Sequence, residues 1–287
     1  MSRLADCGIA VWVEIGAMGQ AMAILHDRLP RLAWMEPAVA RLPGIQPVLD
    51  DSWLLVDEAF AGQMAERDRL IAQSPALVLG MQEGARAAAE ELYEAVLAKL
   101  ARSKGYVVGA DRVLRPDGVE VALDRGAPLL TLGRLVQEDL CLMQKQGEEH
   151  LLTAAVLCFP ASWTLAEKLG RAMIGIHQPV AEYGPDLAKR VQRLFDAIRP
   201  EQPLWRMNYN VYAEPELFQP RREADPQPVQ RAGRYLRSER QCLLRLPKSD
   251  AVLFSIHTYL VPLESLSEAA RDGLVAAGKL ILGPGAA

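Results

Sequence analysis

The residues best suited to chemistry gather between Gly133 and Tyr183. An acidic pair, Glu138 and Asp139, sits among apolar neighbours in LVQEDLCLM. Such carboxylates can manage protons or receive a cation, but a buried one without a partner is costly. Arg134, Lys168 and Arg171 are the obvious partners, so a structural ion pair competes with a catalytic role. After the apolar run Leu151 to Phe159 come Pro160, Trp163, the pair Glu167 and Lys168, Arg171, and His177 within Ile-His-Gln-Pro-Val. A rigid aromatic, a fixed proline, a basic residue and an imidazole behind one apolar strand set a few polar groups at the edge of an apolar pocket.

Further candidates lie on either side of that stretch. His257 falls within AVLFSIHTYLV, where Ser255, His257 and Tyr259 share one strand face and Val252, Phe254, Ile256 and Leu260 share the other. The competing reading is a histidine on the solvent side of an edge strand. His150 follows two glutamates at a turn and is expected at the surface; His26 receives no role. Arg171, Arg206 and Arg240 can each grip a carboxylate in a bidentate fork, against the ordinary reading of a surface arginine. Trp163, Tyr183 and Tyr209 offer aromatic walls, and an aromatic face suits a methylated ammonium; ordinary core packing competes. Cys7, Cys141, Cys158 and Cys242 lie far apart without a CxxC, which argues against a zinc cluster or disulfide framework. Cys158, in an apolar run, reads as inert packing before it reads as a thiolate.

Several elements must position these groups. Phe60, Met64 and Leu70/Ile71 recur at a helical period until Ser74-Pro75, and a second helix spans about Ala85 to Ala101. Pro116-Asp117-Gly118 turns a short hairpin near Val113 to Leu123. Asp139 to Met143 and Leu151 to Phe159 read as paired strands. Short helical pieces follow between Trp163 and Arg171. An amphipathic helix comes next, with Leu187, Val191, Leu194, Phe195 and Ile198 on one face. Leu204 to Tyr212 is a third strand, and RQCLLRL with AVLFSIHTYLV forms a final hairpin. A terminal helix starts at the box Ser265-x-x-Glu268. Near the start, Gly16 and Gly19 lead into Pro30, Pro37, Pro43 and Pro47 and not into a second strand, so a dinucleotide fingerprint is not supported.

This order predicts an α+β fold, a PAS-like five-stranded antiparallel sheet with helices on one side. Residues 1–105 form an irregular and helical extension, and residues 106–287 form the PAS-like domain. With 287 residues, half of them hydrophobic and a quarter charged, the chain can bury a full core. A net charge of −4 argues against nucleic acid, no run reaches the length of a membrane span, and the cytoplasm is the default.

The strings LVQEDLCLM, LCFPASW, EKLGRAM, IHQPV and RSERQ, with PGIQPVLDDSWLLVDEAF nearer the start, together resemble one family. It is the family of the haem-binding catalytic subunit of haem-dependent oxidative N-demethylase, from dimethylamine catabolism. The resemblance covers most of residues 40–262. It implies a PAS-like domain that holds haem b, activates dioxygen and oxidises an N-methyl carbon of a small methylated amine, which leaves as formaldehyde. It also implies a partner reductase that brings NADPH, FMN and a 2Fe–2S centre, and it is compatible with an oligomer. Within it, His177 is the expected iron ligand, against the reading of a histidine that caps a turn before Pro179. Arg171, Arg206 and Arg240 are the expected propionate clamps, Trp163 and Tyr183 the pocket walls, and Glu138, Asp139 and His257 the catalytic candidates. This chain departs from the pattern at His257, where arginine is usual, at Ala181 and at Tyr209. A haem-PAS gas sensor without turnover and a haem-free structural subunit are the competing functions.

Overall fold

The computed structural model describes residues 23–40, 43–176, 185–225 and 233–281. A short helix α1 (Pro37–Ala40) and a strand β1 (Gln46–Pro47) come first, then α2 (Phe60–Gln73), α3 (Pro75–Val78), β2 (Leu79–Met81) and α4 (Arg86–Leu100). A small meander of β3 (Val107–Val108), β4 (Arg112–Leu114) and β5 (Glu120–Ala122) leads through α5 (Pro128–Gly133) to the hairpin β6 (Asp139–Gln146) and β7 (Glu149–Val156). Helices α6 (Leu165–Lys168), α7 (Met173–Ile176) and α8 (Pro185–Ala197) follow. Three long strands, β8 (Leu204–Tyr212), β9 (Tyr235–Arg245) and β10 (Val252–Pro262), precede α9 (Glu268–Ala276).

Local chemistry accounts for these elements. In α4, Ala88, Leu92, Tyr93, Val96 and Leu100 repeat at three- and four-residue intervals and are all buried. α2 stops at Ser74 because the following proline disfavours helical backbone there. The β6–β7 turn uses Gly147 at φ +62, a left-handed conformation that costs glycine little. The cap of α9 is Ser267, whose hydroxyl accepts from the Ala270 N–H; Ser265 instead donates to the Pro262 carbonyl.

Among the described residues the main sheet is antiparallel and has the order β1-β8-β9-β10-β6-β7-β2. It has seven strands where five were expected. The five long ones were legible, but β1 and β2 are too short for alternation to show. Both come from before residue 105 and form the two edges. Helices on one side was also too simple, because both faces are covered. Met207, Arg240 and His257 lie side by side and so share one face; Arg206, Gln241, Ile256 and Asp139 share the other. The second face packs Cys141, Met143, Leu243 and Ile256 with Leu165, Met173, Phe195 and Ile198 of α6 to α8. The first packs Trp205, Met207, Cys242, Leu253 and Tyr259 with Trp53 and Leu54 from the amino-terminal segment. Trp34 and Leu274 of α9 extend that cover over Val211 and Val261. No helix among the described residues is long and apolar enough to cross a membrane.

Candidate functional site

Strand β10 is the centre of the sheet, and His257 sits in it at 1% exposure. Its Nδ1 lies 2.9 Å from Glu138 Oε1 and its Nε2 lies 2.8 Å from Asp57 Oδ2. Carboxylates only accept, so both ring nitrogens donate and the ring is an imidazolium. Burial alone would lower its pKa; the hydrogen bonds and charges of Asp57 and Glu138 outweigh that and raise it to about 9. Asp57 shows the converse. Burial pushes its carboxyl up, but hydrogen bonds from His257 and His26 hold it far below the usual range.

Asp57 Oδ2 also takes a bond from His26 Nε2 at 2.9 Å, and its Oδ1 accepts from the Ala59 N–H and from Gln137 Nε2. The Leu260 backbone N–H donates to His26 Nδ1 at 3.2 Å, which fixes the ring proton on Nε2. Glu138 Oε1 accepts a second bond from the Leu55 N–H at 2.8 Å, whereas its buried Oε2 has no partner. Ligand atoms of His26, Asp57 and His257 lie within 4.8 Å of one another, a set that could hold a metal ion. The tautomer argues against one. With Nδ1 engaged by a backbone N–H, His26 could offer Nε2 to a metal only as an imidazolate. The cluster is a hydrogen-bonded chain that runs from His26 through the charged groups Asp57 and His257 to Glu138.

Asp139 belongs to a different network. Its Oδ1 accepts from Arg67 Nη1 at 2.6 Å and from the Cys158 N–H, and its Oδ2 accepts from the Phe159 N–H. The pair is fully buried and ties α2 to the start of β6, and the Cys158 and Phe159 bonds add the segment after β7. The partners expected for the two acids are occupied elsewhere: Arg134 binds Asp68, and Lys168 and Arg171 both bind Glu223. Sequence proximity misled here, because Arg67 and His257 reach the acids through tertiary contacts across 72 and 119 residues.

The opposite face carries a polar row where a sheet would normally be apolar. Arg206 Nη1 donates to Gln241 Oε1 at 3.2 Å, Gln241 Nε2 to Glu239 Oε2 at 3.1 Å, and Arg237 Nε to Glu239 Oε1 at 3.1 Å. Arg237 continues to the carbonyls of Leu217 and Phe159. The head of this row is incomplete: Arg206 Nε is buried without a partner, and burial pulls its pKa down against the weaker effect of Glu239. No carboxylate pairs with Arg206 among the described residues. The half-buried guanidinium of Arg206, with Nε orphaned on the face that packs α6 to α8, can therefore receive an anion.

Trp163 packs on this same face with Ile176 and Phe254. Arg240 does not. It lies beside His257 on the other face, with its guanidinium 5.6 Å from the Trp205 ring and Nη1 3.0 Å from Cys242 Sγ. The three arginines thus do not converge; strand alternation separates Arg206 from Arg240, and Glu223 holds Arg171 at the rim. His177 and Tyr183 lie outside the described residues. Cys141, Cys158 and Cys242 are buried, and burial pushes the Cys158 thiol up to about 12 and the Cys242 thiol to about 11. Two histidine expectations need correction. His150 is buried against Gln192 and Phe195, not at the surface, and His26 belongs to the hydrogen-bonded chain. Asp57 was missed entirely, since a lone aspartate in VDEAF carries no local signal.

Residues 44–278 match the family model described as haem-dependent oxidative N-demethylase, alpha subunit-like. That span is most of the chain, and the chain belongs to this family.

Proposed function

We propose that this member of the haem-dependent oxidative N-demethylase alpha-subunit-like family is a haem-binding oxygenase subunit that demethylates a small amine. The observation that carries the reading is the half-buried Arg206 with its buried, unpartnered Nε, set on the sheet face that packs α6 to α8. The residues present fit a haem. Arg206 offers a cation for a propionate, and Phe254, Ile256, Met173 and Trp163 offer an apolar bed for the ring. When bound, haem supplies the activation of dioxygen by which an N-methyl group leaves as formaldehyde.

The protein's own groups have separable tasks in this reading. Arg206 anchors the cofactor edge, and with Arg171 bound to Glu223 and Arg240 on the far face it is the principal clamp. The apolar bed keeps water from the reacting carbon. His177 serves as iron ligand and Tyr183 as a wall, the roles that their residue types and places in the sequence suggest. On the other face, His257 stores a proton between Glu138 and Asp57, and the free Oε2 of Glu138 is an acceptor for its onward movement. Asp139 is structural, because Arg67 and two backbone N–H groups use its oxygens. Dimethylamine-like substrates, haem b, a cytoplasmic setting and a partner reductase with NADPH, FMN and 2Fe–2S complete the proposal.

Haem titration provides the test. The parent protein is expected to develop a Soret band, lost in His177→Ala, and Arg206→Ala is expected to weaken haem retention by about tenfold or more. With reductase and NADPH, dimethylamine is expected to yield formaldehyde. A parent protein that takes up no haem would overturn the reading.

A further inference from the structure

Helix α8 has two unlike faces. Val191, Leu194, Phe195 and Ile198 pack inward in one cluster with Leu243, Phe254 and Ile256 of the sheet. Outward it exposes Lys189, Arg190 and Arg193, and Arg199 follows just past its end. None of these four cations has an ion-pair partner among the described residues. Asp196, on the same side, is taken by Lys145 at 2.8 Å. Many exposed arginines elsewhere are matched, Arg69 with Glu66, Arg86 with Glu90, Arg112 with Glu120 and Arg125 with Glu94. Among the described side chains, α8 therefore carries a row of positive charge with no carboxylate bound to it, on a chain of net charge −4. Lys189 and Arg193 are four residues apart, a like-charge spacing that destabilises a helix by a few tenths of a kcal/mol. An acidic partner surface would relieve that repulsion.

We propose that the exposed face of α8 is the docking surface for an acidic electron-transfer protein that reduces the site beneath it. The inference rests on the oxygenase reading. Oxidation of an N-methyl carbon by dioxygen, with the second oxygen atom leaving as water, consumes two electrons and two protons beyond those of the amine. A one-electron iron–sulfur donor delivers them in two steps and is oxidised by one electron each time. α8 is suited to receive it because its inner side lies on the face that holds Arg206. Its outer row stands off by one helix diameter, about 10 Å. Electron-transfer encounters are small and are selected by charge, and positive α8 complements an acidic donor.

The experiment uses the full chain and a plant-type 2Fe–2S ferredoxin, an acidic carrier, as probe. Calorimetry at low and high salt is expected to show binding that salt weakens. The combined variant Lys189→Glu, Arg190→Glu, Arg193→Glu is expected to lose about tenfold or more in affinity while its circular dichroism and unfolding midpoint hold. In haem-loaded protein the same variant should slow reduction by ferredoxin to a similar degree and leave reduction by dithionite alone. A variant that binds ferredoxin as tightly as the parent would overturn the proposal, as would double-stranded DNA that outcompetes ferredoxin for α8. Ferredoxin binding through α8 by a chain that takes up no haem would support the surface and overturn only the oxygenase reading.

Discussion

Between Glu138 and Asp57, a neutral ring at His257 would satisfy only one of its two carboxylates, so the proton has a structural task. The folded pKa of about 9 stands above the ordinary 6.5. The stabilisation from this group is therefore complete below about pH 6.5 and disappears as pH rises through 9, roughly 3 kcal/mol in all. Asp57 behaves oppositely. Its depressed pKa contributes stability above the normal carboxylate range, and that is lost on acidification. Thermal unfolding followed from pH 6 to 10 is expected to show a falling midpoint in the parent and a flatter profile in His257→Gln. An unchanged alkaline slope in that variant would show that His257 is not the charged group. His257 occupies a place where the resemblance leads one to expect arginine. Held doubly protonated, it still supplies a cation there.

At the scale of elements, the packing of α5 against β7 is tight enough to predict a single substitution. A Cβ on Gly133 would come within 2.6 Å of Val156 Cγ2 and 2.8 Å of Ile71 Cδ1. Gly133→Ala should cost about 1–3 kcal/mol by overpacking, read as a lower urea midpoint with an unchanged slope. A neutral result would mean that α5 can slide. The sequence disclosed most elements because their signals are local: the Pro116-Asp117-Gly118 turn, the stripe of α8, and the alternation of β10 all stand within one window. It also disclosed Glu138 and His257 as chemically suspect. It could not disclose that they touch, nor that Asp57, Arg67 and His26 complete the two networks, because those meetings depend on sheet order. Nor could spacing show that Arg206 and Arg240 point apart, since that depends on the register of β8 against β9.

For the whole molecule, the amino-terminal segment is structurally part of the sheet. It supplies β1, β2, the Trp53 and Leu54 cover, and the His26–Asp57 half of the hydrogen-bonded chain. Removal of residues 1–58 should strip the β8 edge and leave His257 and Glu138 buried without Asp57 or the Leu55 N–H. The truncated chain is expected in aggregates, measured by sedimentation, because bare edges recruit one another and a broken buried ion pair costs about 3–5 kcal/mol. A soluble, monomeric truncation with the parent's circular dichroism would refute this account of the segment.

Sheet order also sets a timetable for synthesis. The ribosome makes both borders, Gln46–Pro47 and Leu79–Met81, well before their neighbours, and the middle strand Val252–Pro262 comes last. Each early strand must wait for a mate more than seventy residues downstream, Leu79 for Val156 and Gln46 for Trp205. Such long separations raise the entropic cost of closure and slow assembly. Completion of the sheet is thus deferred until Pro262 has been made, and a nascent chain stalled before β10 is a substrate for chaperones and proteases.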